Sequence, residues 1–206
     1  LIGGPIAAGS RALENFLVNM QGGSKAVFGA IMGAMAAFDF GGPVNKVASL
    51  FADGLLADGV YGPEAVKICA SMVPPFGVAL SWLIKRSRYT KRETDNIKVA
   101  FPMGICMITE GVIPIAAVDP IRVIASCSIG AAVGGAIIML LGVGSPVPSG
   151  GLFIVPAMTN PGGFLLALAA GTVVTALLLV VLKHDPTEET IEEEEEELSL
   201  DDIQIQ

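Results

Sequence analysis

The longest uncharged stretch of the chain, residues 123–182, contains no Asp, Glu, Lys or Arg. A helix needs about 20 apolar residues to cross a bilayer, so this stretch is long enough for two spans. It divides into an apolar part, Val123–Val143, an interrupted part, Gly144–Gly162, and a second apolar part, Gly163–Leu182. Charged residues make up only 16% of the chain, compared with about 25% in a soluble domain. These features predict an all-α polytopic membrane protein with transmembrane helices.

The interrupted part, Gly144–Gly162, cannot form a regular helix, because it contains four prolines together with Gly150 and Gly151. Each Pro lacks an N–H donor and clashes with the preceding helical turn. Irregular backbone at membrane depth needs protein or a wet cavity around it, so we predict a re-entrant hairpin here. Val99–Asp119 is also apolar, interrupted by prolines, and contains Glu110. It predicts a second re-entrant hairpin.

A basic segment follows the apolar run Ile68–Ile84, in which Pro74 and Pro75 should kink or break the helix. Residues 85–98 include six basic and two acidic side chains, and the positive-inside rule places this loop in the cytoplasm. If the earlier hairpin enters and leaves on that side, the later one enters from outside and the C terminus is cytoplasmic. Opposed hairpins with substrate held between them recur in transporters.

The two ends of the chain predict its organisation. The chain begins at Leu1 without an initiator Met or a signal-peptide pattern, so we interpret it as the C-terminal portion of a longer protein. Residues 1–183 are expected to form the membrane domain. From Lys183 onward, eleven acids and one Lys carry a net charge of −10, which leaves +2 of the total of −8 for the rest. Residues 184–206 are therefore expected to be an acidic, disordered cytoplasmic tail.

Cysteine and histidine are too few and too scattered to indicate a metal site or His-based catalysis. Cys69, Cys106 and Cys127 lie in apolar stretches without CxxC spacing, which is typical of packing residues. The single histidine, His184, follows the last apolar span. We expect no catalytic residue, metal or other cofactor in this chain, and no nucleic-acid partner.

Glu110 is the first candidate for a binding residue. A carboxylate at mid-bilayer costs about 2.5–3.5 kcal/mol, so it is expected to face a cavity or a partner rather than lipid. When ionised, it accepts two hydrogen bonds at once, which suits neighbouring sugar hydroxyls. Its neighbours Thr109 and Gly111 belong to the same candidate site. The alternative is a structural ion pair with Arg122 or Lys46.

Two further polar segments flank the predicted hairpins. Asp119 and Arg122 are expected to pair and hold the base of the earlier hairpin, rather than to contact substrate. Ser149 and Gly150 would form the tip of the later hairpin, where a small side chain and bare backbone can approach a ligand closely. A turn without any ligand role is the alternative.

The segment 41–46 is a third candidate. Its Gly-Gly-Pro sequence breaks a helix at Pro43 and presents backbone groups, and Asn45 offers both a donor and an acceptor. The alternative is a plain helix break in which Lys46 extends to the membrane interface.

Two GxxxG patterns occur in apolar segments, one beginning at Gly29 and the other at Gly130. Glycines at this spacing allow close helix contact. We interpret both patterns as internal packing rather than as dimerisation motifs.

Five motifs resemble, in the same order, the IIC subunit of fructose-type phosphotransferase permeases, a family that includes fructose and mannosylglycerate transporters. They are GGPVNK at 41–46, MVPP at 72–75, ITEGVIP at 108–114, DPIRV at 119–123 and PSGG at 148–151. The resemblance reaches about Lys183 and covers the later half or more of a IIC unit. The family often has His where Ser149 stands, so the motif leaves the sugar open.

The resemblance implies group translocation, in which IIC admits a sugar and a IIB subunit, phosphorylated on Cys by IIA, transfers phosphate to it. None of the cysteines here suits that step, so the phosphoryl chemistry is expected in partner IIB and IIA domains. A bacterial inner membrane location, the lipid bilayer as surroundings and a homodimer of the full-length protein are also implied. In the related glucose superfamily an intramembrane Glu on a re-entrant hairpin binds sugar, which implies this role for Glu110 and a similar one for Asn45 and Ser149.

Two other classes of function remain open from the sequence. In an ion-coupled secondary transporter, Glu110 would be the proton or cation site, and substrate would accumulate unmodified. In a non-transporting membrane scaffold, Glu110 and Asn45 would be buried against partners and would share no cavity.

Overall fold

The computed structural model describes residues 22–185, and within this range every regular element is helical. Seven α-helices, α1 to α7, span Gly22–Phe38, Pro43–Ala57, Gly62–Ile84, Lys91–Ile105, Ile113–Val118, Pro120–Leu140 and Pro161–Leu182. Short 3-10 helices lie at Arg86–Arg88, Glu110–Val112 and Gly151–Ala157. The all-α prediction is confirmed for these residues. The predicted acidic tail lies outside them from residue 186 onward.

Three of the helices, α3, α6 and α7, are long and apolar enough to cross a membrane. They coincide with the three apolar runs of the sequence, which confirms the prediction of a polytopic membrane protein. Each helix begins a few residues before its apolar run, with Pro63, Pro120 or Pro161 in its first turn. Proline suits this position because its fixed φ matches the helix and the first-turn N–H groups have no intrahelical partner.

Helix α3 passes through Pro74 and Pro75 without interruption, so a break at this point, one of the two predicted effects, does not occur. Both prolines are buried, and the ring of Pro75 packs against Gly104 of α4. Neighbouring helices can hold a helix together across the hydrogen bonds that proline removes. The packing of α3 therefore overrides the local tendency to break.

The first GxxxG pattern lies where α1 crosses α6. A methyl group placed on Gly29 would overlap the carbonyl of Gly135, and one placed on Gly33 would overlap the carbonyl of Ala131. The glycines of the second pattern face other neighbours, since Gly130 lies against Thr175 of α7. Both patterns therefore serve packing within the chain, as predicted.

The end of α7 is joined to the start of α4 by a buried ion pair. Lys183 Nζ lies 2.9 Å from Glu93 Oε1, and the two side chains are only 4% and 1% exposed. Glu93 also completes a capping box, because its side chain accepts from the Thr90 N–H while Thr90 Oγ1 accepts from the Glu93 N–H. Arg88 donates to the carbonyl of Lys183. The basic loop and the last span thus form one connected unit.

Tyr89 adds a hydrogen bond to this unit. Burial raises the pKa of its hydroxyl well above the ordinary range, so the group stays protonated. The hydroxyl donates to Ser81 Oγ of α3 at 2.9 Å.

Neither of the two segments predicted as hairpins is a regular helix, and these two broken segments touch each other. In the earlier one, α4 ends at Ile105, Met107 has a φ of 67°, and the 3-10 turn and short α5 follow. In the later one, Gly151 has a φ of 59° and lies so close to the carbonyl of Ile105 that a methyl group would not fit. Whether these segments re-enter the membrane stays a prediction.

Candidate functional site

The start of α2 is built by the Gly-Gly-Pro sequence and by Asp39. Gly41 has a φ of 103°, a conformation that favours glycine, and the chain reverses there before Pro43 begins the helix. The carboxylate of Asp39 accepts hydrogen bonds from the Val44 N–H at 2.7 Å and from the Asn45 N–H at 2.9 Å. It thereby satisfies two of the helix's unpaired first-turn donors, and a negative charge is favourable there.

Asn45 ties α1 to α2. Its Nδ2 donates to the carbonyl of Ala36, and its Oδ1 accepts from Ser49 Oγ at 3.2 Å. The side chain is only 5% exposed. Asn45 therefore orients the face of α2 on which Ser49 lies.

Glu110 lies on the 3-10 turn after α4 and is exposed. Its carboxylate rests against the bare Cα of Gly41: a methyl group at that position would be 2.7 Å from Oε1. Within residues 22–185, Glu110 forms no ion pair, and Arg122 instead pairs with Asp119 at 3.1 Å. The carboxylate is thus free to accept hydrogen bonds from a ligand.

Five of the predicted site residues border one cavity of about 490 Å³. The cavity lies between α2, α3 and the two broken segments, and the five residues are Asn45, Lys46, Thr109, Glu110 and Ser149. The segments 41–46, 108–114 and 148–151, distant in sequence, therefore meet around the same space.

The other predicted site residues lie elsewhere. Asp119 and Arg122 border a separate cavity of about 340 Å³, beside the Lys183–Glu93 pair. Gly111 packs against α4, where a methyl group would come 2.9 Å from the Cα of Ala100. Pro43 and Gly150 shape the backbone next to cavity residues. Their proposed roles stay predictions.

Four polar residues of the cavity were missed by the sequence reasoning: Ser49 and Asp53 of α2, and Lys67 and Ser71 of α3. Asn45, Ser49 and Asp53 follow one another at intervals of four, and Lys67 and Ser71 do the same. Residues four apart share one face of a helix, so this spacing was a usable signal. Lys67 lies just outside the apolar run that begins at Ile68, so that run alone does not reveal it.

Asp53 and Lys67 join α2 and α3 at the cavity wall. Lys67 Nζ donates to Asp53 Oδ1 at 2.5 Å, and it also lies 2.7 Å from Glu64 Oε1. The Lys67 and Glu64 side chains are 5% and 0% exposed, whereas that of Asp53 is 43% exposed. The cavity therefore has a fixed ion pair in its wall in addition to Glu110.

The chemistry of the cavity suits a neutral polyhydroxylated ligand. Two carboxylates, Asp53 and Glu110, are matched by two ammonium groups, Lys46 and Lys67, so a ligand needs no charge of its own. Charged groups make stronger hydrogen bonds than neutral ones, and a hydroxyl can both donate to a carboxylate and accept from an ammonium group. In the described part of the chain, no three His, Cys, Asp or Glu side chains cluster as a metal site would require.

Comparison with known proteins gives several relatives. No family model and no solved structure matches the chain. The PTS system fructose-specific EIIC component of Haloferax volcanii is 46% identical over 175 residues, which are 84% of this chain and 47% of the relative. The fructose-specific EIIB'BC component of Haemophilus influenzae is 44% identical over 173 residues, or 84% of this chain and 31% of that protein.

A third relative, the fructose-like permease IIC component 2 of Escherichia coli, is 40% identical over 173 residues, with 84% of this chain and 48% of the relative covered. The chain thus spans about half the length of its single-component relatives. The aligned part includes most of the described helices, since it covers 84% of the chain. Over 84% of its length, the chain is similar to fructose-type phosphotransferase system IIC components.

Proposed function

We propose that this chain is the later part of a sugar-translocating IIC subunit, and that the sugar binds in the cavity between α2, α3 and the two broken segments. The observation that carries the proposal is the meeting of Glu110, Asn45 and Ser149 around one cavity. In a scaffold, Glu110 and Asn45 would be buried against partners and would share no cavity. No observation favours an ion-coupled transporter.

In this proposal Glu110 accepts hydrogen bonds from neighbouring hydroxyls of the sugar, with Thr109 and Ser149 contributing hydroxyl groups beside it. Three features support the role of Glu110: its position on a broken helix, its exposure to the cavity and the lack of an ion pair within residues 22–185. Fructose is the first sugar to test, because the relatives are named as fructose-specific or fructose-like.

The proposal assigns the phosphoryl transfer to partner proteins. The relatives named EIIB'BC and EIIABC combine several components in one protein, which supports IIB and IIA domains as partners here. Cys69 and Cys127 are buried within helices α3 and α6, where no partner domain could reach them. Cys106, at the end of α4, is exposed and is therefore not the buried packing residue that the sequence predicts. This chain would bind the sugar and present it, while IIB phosphorylates it.

The proposed topology places the two broken segments in the membrane as re-entrant hairpins, which meet at Gly151 and Ile105. The basic residues around Arg86 would face the cytoplasm of a bacterial cell, and the acidic C terminus would lie on the same side. The full-length subunit would be a homodimer in the inner membrane.

The test is sugar binding by the full-length permease that contains this chain. Hydrogen bonds to a charged group contribute about 1.5–3 kcal/mol, so Glu110→Gln is expected to raise the Kd for fructose about 10- to 100-fold. Binding would be measured by isothermal titration on purified protein, and phosphoenolpyruvate-dependent uptake in membrane vesicles. Asp95→Asn is the matched control, because Asp95 is exposed on α4, lies outside the cavity and pairs with Lys98 at 2.7 Å. Wild-type affinity in Glu110→Gln would refute the proposed site.

A further inference from the structure

Lys67, in the cavity wall, lies in contact with two carboxylates. Lys67 is buried and lies 2.7 Å from Glu64, whose side chain is fully buried. Asp53 is the second carboxylate in contact with Lys67, at 2.5 Å.

Asp53 differs from Glu64 in where it lies. It comes from the opposite helix, α2, and its side chain is 43% exposed, while that of Glu64 is 0% exposed. Both Asp53 and Lys67 line the cavity, whereas Glu64 does not. The Asp53 carboxylate is therefore presented to the space in which the proposed sugar binds.

Both groups retain hydrogen-bonding capacity. An ammonium group has three donors. Lys67 donates one hydrogen bond to Asp53 and lies in ion-pair contact with Glu64, so a donor remains for a ligand. Asp53 accepts from Lys67 through Oδ1, and among residues 22–185 no donor reaches its Oδ2. A hydroxyl group placed here could donate to Asp53 and accept from Lys67 at the same time. Neither an apolar surface nor a lone carboxylate allows both hydrogen bonds.

We infer that Asp53 and Lys67 form a second hydroxyl-binding pole of the cavity, in addition to Glu110, and that Glu64 is the positioning residue that holds Lys67 in place. The inference rests on the proposed function and specifies it further: the ligand is a neutral sugar gripped through at least two separate hydroxyl positions. Ser49 and Ser71, four residues from Asp53 and Lys67 on the same helix faces, line the space beside this pole.

The test compares fructose with a series of its monodeoxy analogues, using isothermal titration on the full-length permease. Loss of a hydrogen bond to a charged group is expected to raise the Kd of Asp53→Asn for fructose about tenfold or more. The deoxy analogue that lacks the hydroxyl bound by Asp53 should bind weakly to the wild type. Asp53→Asn should bind it and fructose with similar affinity. Glu110→Gln should likewise bind fructose and one deoxy analogue with similar affinity, but that analogue should lack a different hydroxyl group. A merely structural effect of Asp53 would not produce this difference between the two variants.

Asp58→Asn is the matched control, because Asp58 follows the last turn of the same helix, is exposed and lies outside the cavity. Asp53→Glu is a second variant, which keeps the charge and moves the carboxylate by one methylene group, so it decides the matter if Asp53→Asn fails to fold. It is expected to weaken fructose binding and to change the ranking of the analogues.

Two outcomes are distinguishable. If the wild type binds fructose and Glu110→Gln weakens it, but the Asp53 variants bind fructose and every analogue as the wild type does, the second pole is refuted and the proposed function stands. If Glu110→Gln binds fructose as tightly as the wild type does, the proposed site itself is overturned, and the second pole with it.

Discussion

A methyl group at Gly41 should weaken sugar binding indirectly, because it would displace the Glu110 carboxylate. In Gly41→Ala the new Cβ would lie 2.7 Å from Glu110 Oε1, and an ordinary contact begins at 3.4 Å, so the carboxylate must move by about 0.7 Å. The substitution also puts a side chain on a residue with a φ of 103°. Two effects are therefore expected, one on stability and one on binding.

Gly59→Ala separates these two effects. Gly59 has a φ of 85°, comparable to that of Gly41, but no atom lies within 4 Å of a Cβ added there. Both variants should lose about 1–3 kcal/mol of stability from backbone strain. Only Gly41→Ala should also bind sugar more weakly, because misplacing the Glu110 carboxylate costs part of its charged hydrogen bonds. A loss of about 1 kcal/mol corresponds to a roughly fivefold rise in Kd.

The assay measures thermal unfolding and fructose Kd for both variants of the full-length permease, in the same detergent and with the wild type alongside. The expected pattern is a similar fall in the unfolding temperature and a different change in Kd. Equal Kd values for Gly41→Ala and Gly59→Ala would refute the idea that the close contact between residues 41 and 110 positions the binding carboxylate.

Three further substitutions test the packing that supports the site. Gly33→Leu should prevent α1 from packing against α6, since even a methyl group would overlap the Ala131 carbonyl. The yield of folded protein on size exclusion should therefore fall sharply. Gly23→Leu is the control and should leave this yield unchanged, because open space surrounds Gly23. Glu93→Gln should lower stability by about 3–5 kcal/mol, measured by thermal unfolding, because it leaves the buried Lys183 ammonium without its counter-charge. Gly151→Ala should weaken sugar binding by separating the two broken segments at Ile105, and unchanged affinity would contradict that contact.

The membrane helices were predictable because their signal is local. Residues 123–143 and 163–182 are apolar over the length that a bilayer requires, and α6 and α7 lie there in the structure. The irregular region between them was equally predictable, because the backbone chemistry of proline acts within a few residues. Pro74 and Pro75 show the limit of such reasoning, since buried packing keeps α3 continuous through both of them.

The polar residues were predictable in part. Glu110, Asn45 and Ser149 stood out because each interrupts an apolar segment near a helix break. Asp53 and Lys67 did not stand out, because each lies close to other polar residues at the end of a helix and their pairing joins two different helices.

The class of the protein, its apolar spans and the points at which helices break follow from the sequence alone. So does the expectation that Glu110 faces a cavity or a partner, because a charge at membrane depth needs one. These are properties of short segments, governed by hydrophobicity and backbone chemistry. The sequence does not reveal that three distant segments enclose one cavity, that Glu110 rests against Gly41 or that Lys67 reaches Asp53. A cavity and an ion pair between helices depend on how the helices pack, and that packing brings together side chains from far apart in the chain.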